Sequence, residues 1–128
     1  MSSPKILVVD DDATHLVCAK ELLEAEGYEV RVHSTAFGAT EKVLRYEPDL
    51  ILVDVNMPAL SGEGLVTVLQ GRERTRGVRV LLYSSNDEQA LREAAERLGI
   101  AGYVPKGDPG QLRRKVAAVL RTGGVAVR

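Results

Sequence analysis

Three aspartates, Asp10, Asp11 and Asp12, follow the run KILVV at Lys5–Val9, and a fourth, Asp54, follows the run LILV at Leu50–Val53. Adjacent acids repel one another. A divalent cation offsets that repulsion by taking several carboxylates at once, and magnesium prefers oxygen ligands with retained waters. The competing use is local, since Asp12 has the type and place of a helix N-cap. Both uses fit together if Asp10 and Asp11 reach one rim while Asp12 serves the helix terminus. Taken singly, the acidic cluster could be surface charge, Asp54 a solvated loop residue and Lys106 a surface lysine. Taken together with the Ser84 hydroxyl, they form a set suited to phosphoryl transfer. A carboxylate can attack phosphorus and form an acyl phosphate, while a cation and an ammonium neutralise charge on the equatorial oxygens. Ser84 could donate to a phosphoryl oxygen, with Ser85 better used as a helix cap. Asn56, two residues beyond Asp54, could offer its backbone carbonyl to the metal or use its side chain to hold the turn.

Positioning such a set requires strands that end at one edge. A short apolar run bounded by turn residues suits a strand covered on both faces. Leu50–Val53 is such a run, closed behind by Pro58 and Gly62. Lys5–Val9 is another, and 28–32, 78–83 and 101–104 read as three more. Between them, apolar residues at helical spacing predict helices over 12–26 (Leu16, Ala19, Leu22, Leu23), 36–46 (Ala39, Val43, Leu44) and 62–71 (Leu65, Val68, Leu69). Two more cover 85–98 (Ala90, Leu91, Ala94, Ala95, Leu98) and 109–120 (Leu112, Val116, Val119, Leu120). Ser85 with Glu88 has the pattern of a capping box. Asp108, Pro109 and Gln111 read as cap, first helical residue and N3 partner. Five strands alternating with five helices imply an α/β three-layer sandwich with a parallel sheet and right-handed crossovers. Open sheets of this kind place their chemistry beyond the carboxyl ends of the strands, where Asp10, Asp54, Ser84 and Lys106 fall.

The 128 residues suit one domain, with an ordered core over 5–121 and a tail or truncated linker over 122–128. Apolar residues make up 45% and charged residues 27%, and the formal charge of -1 supplies no basic field for nucleic acid. No apolar run is long enough for a membrane span, and no secretory segment precedes the first strand. The lone cysteine, Cys18, cannot form an internal disulfide; its place in a helical apolar pattern reads as a packed thiol in a reducing cytoplasm.

The ordered motifs VVDD (8–11), DVNMP (54–58), YSS (83–85) and GYVPK (102–106) resemble the receiver domain of bacterial two-component response regulators. The resemblance covers essentially residues 5–121. It implies a doubly wound, flavodoxin-like sheet of order 2-1-3-4-5 with Asp54 as phosphoacceptor for a histidine kinase or phosphotransfer protein. It further implies Mg2+, or Mn2+ in its place, held by Asp11 directly, by Asp10 through water and by the Asn56 carbonyl. Ser84 would be the switch hydroxyl, Lys106 the phosphate-contacting lysine and Tyr103 the switch aromatic. Magnesium-dependent self-phosphorylation from a phosphodonor and slow autodephosphorylation are then expected. One departure stands out, because Gly107 occupies the position of the family's proline after the lysine, and no cis bond is expected there.

Two readings of other classes compete. One is a phosphorylation-independent protein-binding module; the other is a haloacid-dehalogenase-like phosphohydrolase with Asp10 as its nucleophile. A flavin site fits poorly, as three negative charges occupy the place of a phosphate loop. Contact with a downstream protein, or homodimerisation, is expected on the face built by the helix over 85–98, the strand around Tyr103 and the helix over 109–120. There Arg113, Arg114 and Lys115 stand against Glu88, Glu93 and Glu96. Three basic residues do not make duplex DNA the default ligand of this domain alone.

Overall fold

Strand and helix alternate along the chain: β1 (Lys5–Val9), α1 (Ala13–Ala25), β2 (Glu29–His33), α2 (Ala39–Tyr46), β3 (Leu50–Val53), α3 (Gly62–Gln70), β4 (Arg79–Ser84), α4 (Glu88–Leu98), β5 (Gly102–Pro105) and α5 (Pro109–Arg121). The computed structural model describes residues 3–57 and 61–122; Pro58 and Gly123 onward lie outside the described residues. All five strands run parallel in the order β2-β1-β3-β4-β5, the flavodoxin-like arrangement. Among the described residues no helix is long and apolar enough to cross a membrane.

β1 and β3 lie at the centre of the sheet. Ile6, Leu7, Val8 and Val9 are at most 1% exposed, and Leu50 to Val53 are wholly buried. Burying each such side chain stabilises the fold by roughly 1.5–3 kcal/mol relative to leaving it in water. Slipping either strand by one residue would exchange its two faces, so the residues that follow, Asp10 and Asp54, are fixed in register. Alternation then assigns each strand-end residue to a layer. Ile6, Val8, Leu50, Leu52, Leu81 and Val104 pack with Leu16, Leu112 and Val116 of α1 and α5. Leu7, Val9, Ile51, Val53, Val80 and Leu82 pack with α2, α3 and α4. Continued one step past the ladder, the same period puts Asp10, Asp54 and Lys106 on the α1/α5 side. Ser84 and Tyr103 fall on the α4 side.

Several details differ from the sequence expectation. The cap of α4 is Asp87, whose Oδ2 accepts the Ala90 N–H at 3.1 Å, and Ser85 is exposed. Just before the helix, the Asn86 N–H donates to the Ser84 hydroxyl, at 3.2 Å. Ala90 faces solvent, and Leu98 is half-buried. α2 begins at Ala39 after a turn in which the Phe37 N–H donates to Thr35 Oγ1. Its inward set is Ala39, Val43 and Tyr46 rather than Leu44, and the Tyr46 hydroxyl donates to the Glu29 carbonyl at 3.2 Å. In α3, Val66 is buried and Val68 is 38% exposed. Cys18 is exposed, since Leu16, Ala19 and Leu23 form the buried stripe of α1 and position 18 turns away from it. The predicted caps Asp12 and Asp108 are in place: Asp12 Oδ1 accepts the Thr14 and His15 N–H groups, and Asp108 Oδ1 accepts that of Gln111.

Gly62 joins the central strand to α3 by close contact. A Cβ there would lie 2.1 Å from the Asp54 carbonyl oxygen and 2.9 Å from Val53 Cγ1. Backbone cannot yield as a flexible side chain can, so Gly62→Ala should displace the start of α3 or the end of β3. A loss of about 2 kcal/mol or more is expected. Urea denaturation would show it as a lowered midpoint, and a midpoint equal to wild type would contradict the contact.

Candidate functional site

The rim forms where ladder hydrogen bonds run out. The Asp10 N–H donates to the His33 carbonyl (3.1 Å), that of Asp54 to Val9 (2.9 Å) and that of Lys106 to Ser84 (2.9 Å). Three side chains from distant parts of the sequence are thereby set on strand ends along one edge of the sheet. Asp10 is fully buried and Asp54 only 6% exposed. One carboxylate oxygen from each of Asp10, Asp11 and Asp54 lies within 4.8 Å of the others, with Asp11 on the solvent side. Hard oxygen donors at this spacing, open to water on one side, fit a magnesium-like cation, which keeps part of its hydration.

Lys106 reaches into this group with a side chain only 8% exposed. Its Nζ donates to Asp10 Oδ2 at 2.6 Å and to His15 Nδ1 at 2.8 Å, and lies 3.6 Å from Asp54 Oδ2. The Tyr83 ring covers it from another direction, with its centroid at 5.4 Å. The ammonium is therefore nearest Asp10 and stands one short movement from Asp54. Asp10 is also held through its other oxygen, which accepts the Asp12 N–H at 2.9 Å. Asp54 Oδ1 accepts the Asn56 N–H at 3.2 Å, which orients the carboxylate.

Beside Asp54 lies a polar bridge that includes one residue the sequence reading did not single out. Asn56 Nδ2 donates to Asn86 Oδ1 at 2.5 Å and to Ser84 Oγ at 3.4 Å. Asn86 became legible only through its place two residues after Ser84, on the next strand end. His15 was missed as well, although it sits in the first turn of a helix that starts at the acidic rim. Tyr103, half-buried on the α4 side, has its hydroxyl 3.0 Å from Glu88 Oε2 and donates to it, while the Arg92 guanidinium lies 5.8 Å from its ring centroid. Glu88 also pairs with Arg92 within α4. Among the described residues no ion pair links Arg113, Arg114 or Lys115 with the acids of α4.

The loop after Lys106 explains why the residue there is not proline. Gly107 has φ +103°, and no cis peptide bond occurs among the described residues. Proline is locked near -65° and could not follow this path. A Cβ at Gly107 would touch nothing within 4 Å, so the positive φ, not lack of space, is what favours glycine there.

Burial raises the Asp54 carboxyl above the ordinary aspartate value. The Asn56 N–H and Lys106 oppose the shift, and the Asp10 charge adds to it. Between the ordinary value and the raised one, the folded chain binds more protons than the unfolded chain. Stability is therefore lost as pH rises through that window and stays lower above it. In metal-free buffer Asp54→Asn should melt higher than wild type at neutral pH, and acidification through the window should narrow the gap. A constant gap from pH 7 to pH 3 would contradict this linkage.

The model of the response regulator receiver domain family matches residues 6–117. The transcriptional regulatory protein PrrA of Mycobacterium leprae is 34% identical over 125 residues, covering 97% of this chain and 53% of its own length. The polar-differentiation response regulator DivK of Brucella ovis is 27% identical over 105 residues, covering 79% of this chain and 82% of itself. The chain spans about half the length of PrrA and of the Bacillus subtilis regulator PhoP, whose coverage is 50%. In solved structures, the response regulator receiver domain protein of Methanospirillum hungatei superposes with a TM-score of 0.84 at 27% identity, covering 94% of this chain and 96% of that one. Vibrio cholerae CheY4, at 24% identity and a TM-score of 0.84 over 92% of this chain and 99% of its own, shares the fold. Sequence and architecture agree, and the chain belongs to the response regulator receiver domain family of two-component signal transduction.

Proposed function

We propose that the chain accepts a phosphoryl group on Asp54 from a histidine kinase or histidine phosphotransfer protein and signals through protein contacts. The observation that carries this reading is one arrangement: Asp10, Asp11 and Asp54 offer oxygens within 4.8 Å of one another, and the Lys106 ammonium stands 3.6 Å from Asp54. An Asp54 oxygen forms a bond to phosphorus as the bond between phosphorus and the donor's imidazole nitrogen breaks, and the electron pair leaves with the imidazole. Asp10 and Asp11, with the Asn56 carbonyl, would hold Mg2+ or Mn2+, which when bound supplies positive charge against the transferring oxygens. Lys106 supplies the second positive charge by moving from Asp10 toward the phosphoryl group. Asp10 is a poor nucleophile by comparison, because both of its oxygens already accept hydrogen bonds in a fully buried position.

Ser84 and Tyr103 then form the output pair. The Ser84 hydroxyl, now an acceptor for Asn86 and Asn56, turns to donate to a phosphoryl oxygen. That movement disturbs the polar bridge at the start of α4. Tyr103 is tied to α4 through Glu88, so its ring and that helix respond together. A few kcal/mol is enough to reverse a two-state population of this kind. The face of α4, β5 and α5 is the surface on which a downstream protein or a second copy would read the change. The chain acts in this reading as one cytoplasmic signalling domain.

Purified protein incubated with acetyl phosphate and magnesium should gain a single labile phosphoryl group by intact-mass measurement. Chelating the metal should abolish the gain, and Asp54→Ala should show none. Equal labelling of Asp54→Ala, or a modification mapped to Asp10, would overturn the assignment.

A further inference from the structure

The Lys106 backbone is held by the Ser84 carbonyl, and its ammonium is held by side chains that accept from it. The two close acceptors differ in kind. Asp10 is charged and belongs to the acidic set suited to a cation, whereas His15 Nδ1 is a ring nitrogen on the first turn of α1. An ammonium has only donors to offer, so Nδ1 is the acceptor in the 2.8 Å contact and the ring carries its proton on Nε2. The contacts of His15 with Asp10 (3.6 Å) and Asp12 (3.7 Å) are too long to compete. His15 is aimed by its backbone. Its N–H, with that of Thr14, is held by the Asp12 cap, which fixes the first turn of α1 over the rim.

We infer that His15 is a positioning residue for Lys106, a tether from α1 that keeps the ammonium within reach of Asp54. Its functional meaning rests on the phosphoacceptor reading above; its geometry does not. Any part of the Asp10 charge drawn toward a cation is lost to Lys106, and His15 is then the remaining close acceptor. Nδ1 accepts through a lone pair and not a negative charge, so the contact holds the ammonium without cancelling the positive charge that the phosphoryl oxygens require. With a side chain 41% exposed, His15 can be changed without opening the core.

The test uses two substitutions that share the site but differ in the acceptor. His15→Leu keeps apolar bulk and removes it, while His15→Asn places an amide oxygen close to where Nδ1 stands. In protein labelled with 15N-lysine, the Lys106 ammonium, assigned by its loss in Lys106→Met, should exchange slowly with water in the wild type. Exchange should be about tenfold faster or more in His15→Leu, as expected for losing a hydrogen bond from a charged donor, and slow again in His15→Asn. The initial rate of labelling by acetyl phosphate should fall by a similar factor in His15→Leu and recover in His15→Asn. Unchanged ammonium exchange in His15→Leu would overturn the inference, as would a His15→Asn variant as impaired as His15→Leu. If the wild type took no phosphoryl group on Asp54, the proposed function would fail, and ammonium exchange would still decide the role of His15.

Discussion

One ammonium set against three carboxylates is the constraint on which the rest of this structure depends. Two unit charges about 4 Å apart interact by roughly 4 kcal/mol near a protein surface. The contacts of Lys106 with Asp10 and Asp54 are therefore large on the scale of net stability, as is the repulsion among Asp10, Asp11 and Asp54. Such a rim is not there to stabilise the fold, since buried charges recover their desolvation only when well paired. Its cost is carried by the two strands beneath it, in which Ile6 to Val9 and Leu50 to Val53 are essentially inaccessible to water. A slip of β1 or β3 would draw Asp10 or Asp54 into the buried ladder, so the apolar runs hold the like charges at the rim.

Much of this was legible in the sequence because the signals were local. The runs KILVV and LILV needed no partner to read as buried strands, and their ends marked Asp10 and Asp54. Asp12 and Asp108 capped their helices as their types and positions implied. The layer assignment was also latent in the two-residue period, which sends Asp10, Asp54 and Lys106 to one side of the sheet and Ser84 and Tyr103 to the other.

What escaped the sequence depends on contacts between elements. Ser85 and Glu88 have the spacing of a capping box, yet Ser84, Asn86 and Asn56 form a bridge across two strand ends and the cap is Asp87. Glu88 is then free to meet Tyr103. Cys18 and Val68 sit beside buried positions and were grouped with them, although the orientation of each helix against the sheet turns both outward. His15 carries no signal of its own. It matters because α1 crosses the side of the sheet on which Lys106 arrives from 91 residues away. Gly107 in place of the family's proline is legible, as is the expectation of no cis bond there, but its φ of +103°, a path that proline cannot take, is not.

On the reading proposed above, the rim is a set of repelling charges that a divalent cation would relieve. Thermal melting against magnesium concentration tests it most directly, in wild type and in Asp11→Asn. Without metal the variant should melt at or above the wild type, because one repelling charge is gone. On adding magnesium the wild type should gain about 2.7 kcal/mol at one hundred times its dissociation constant, or roughly 10 °C, and the variant should gain much less. Equal responses of the two proteins, or a wild-type melting temperature indifferent to magnesium, would contradict a shared cation site at Asp10, Asp11 and Asp54.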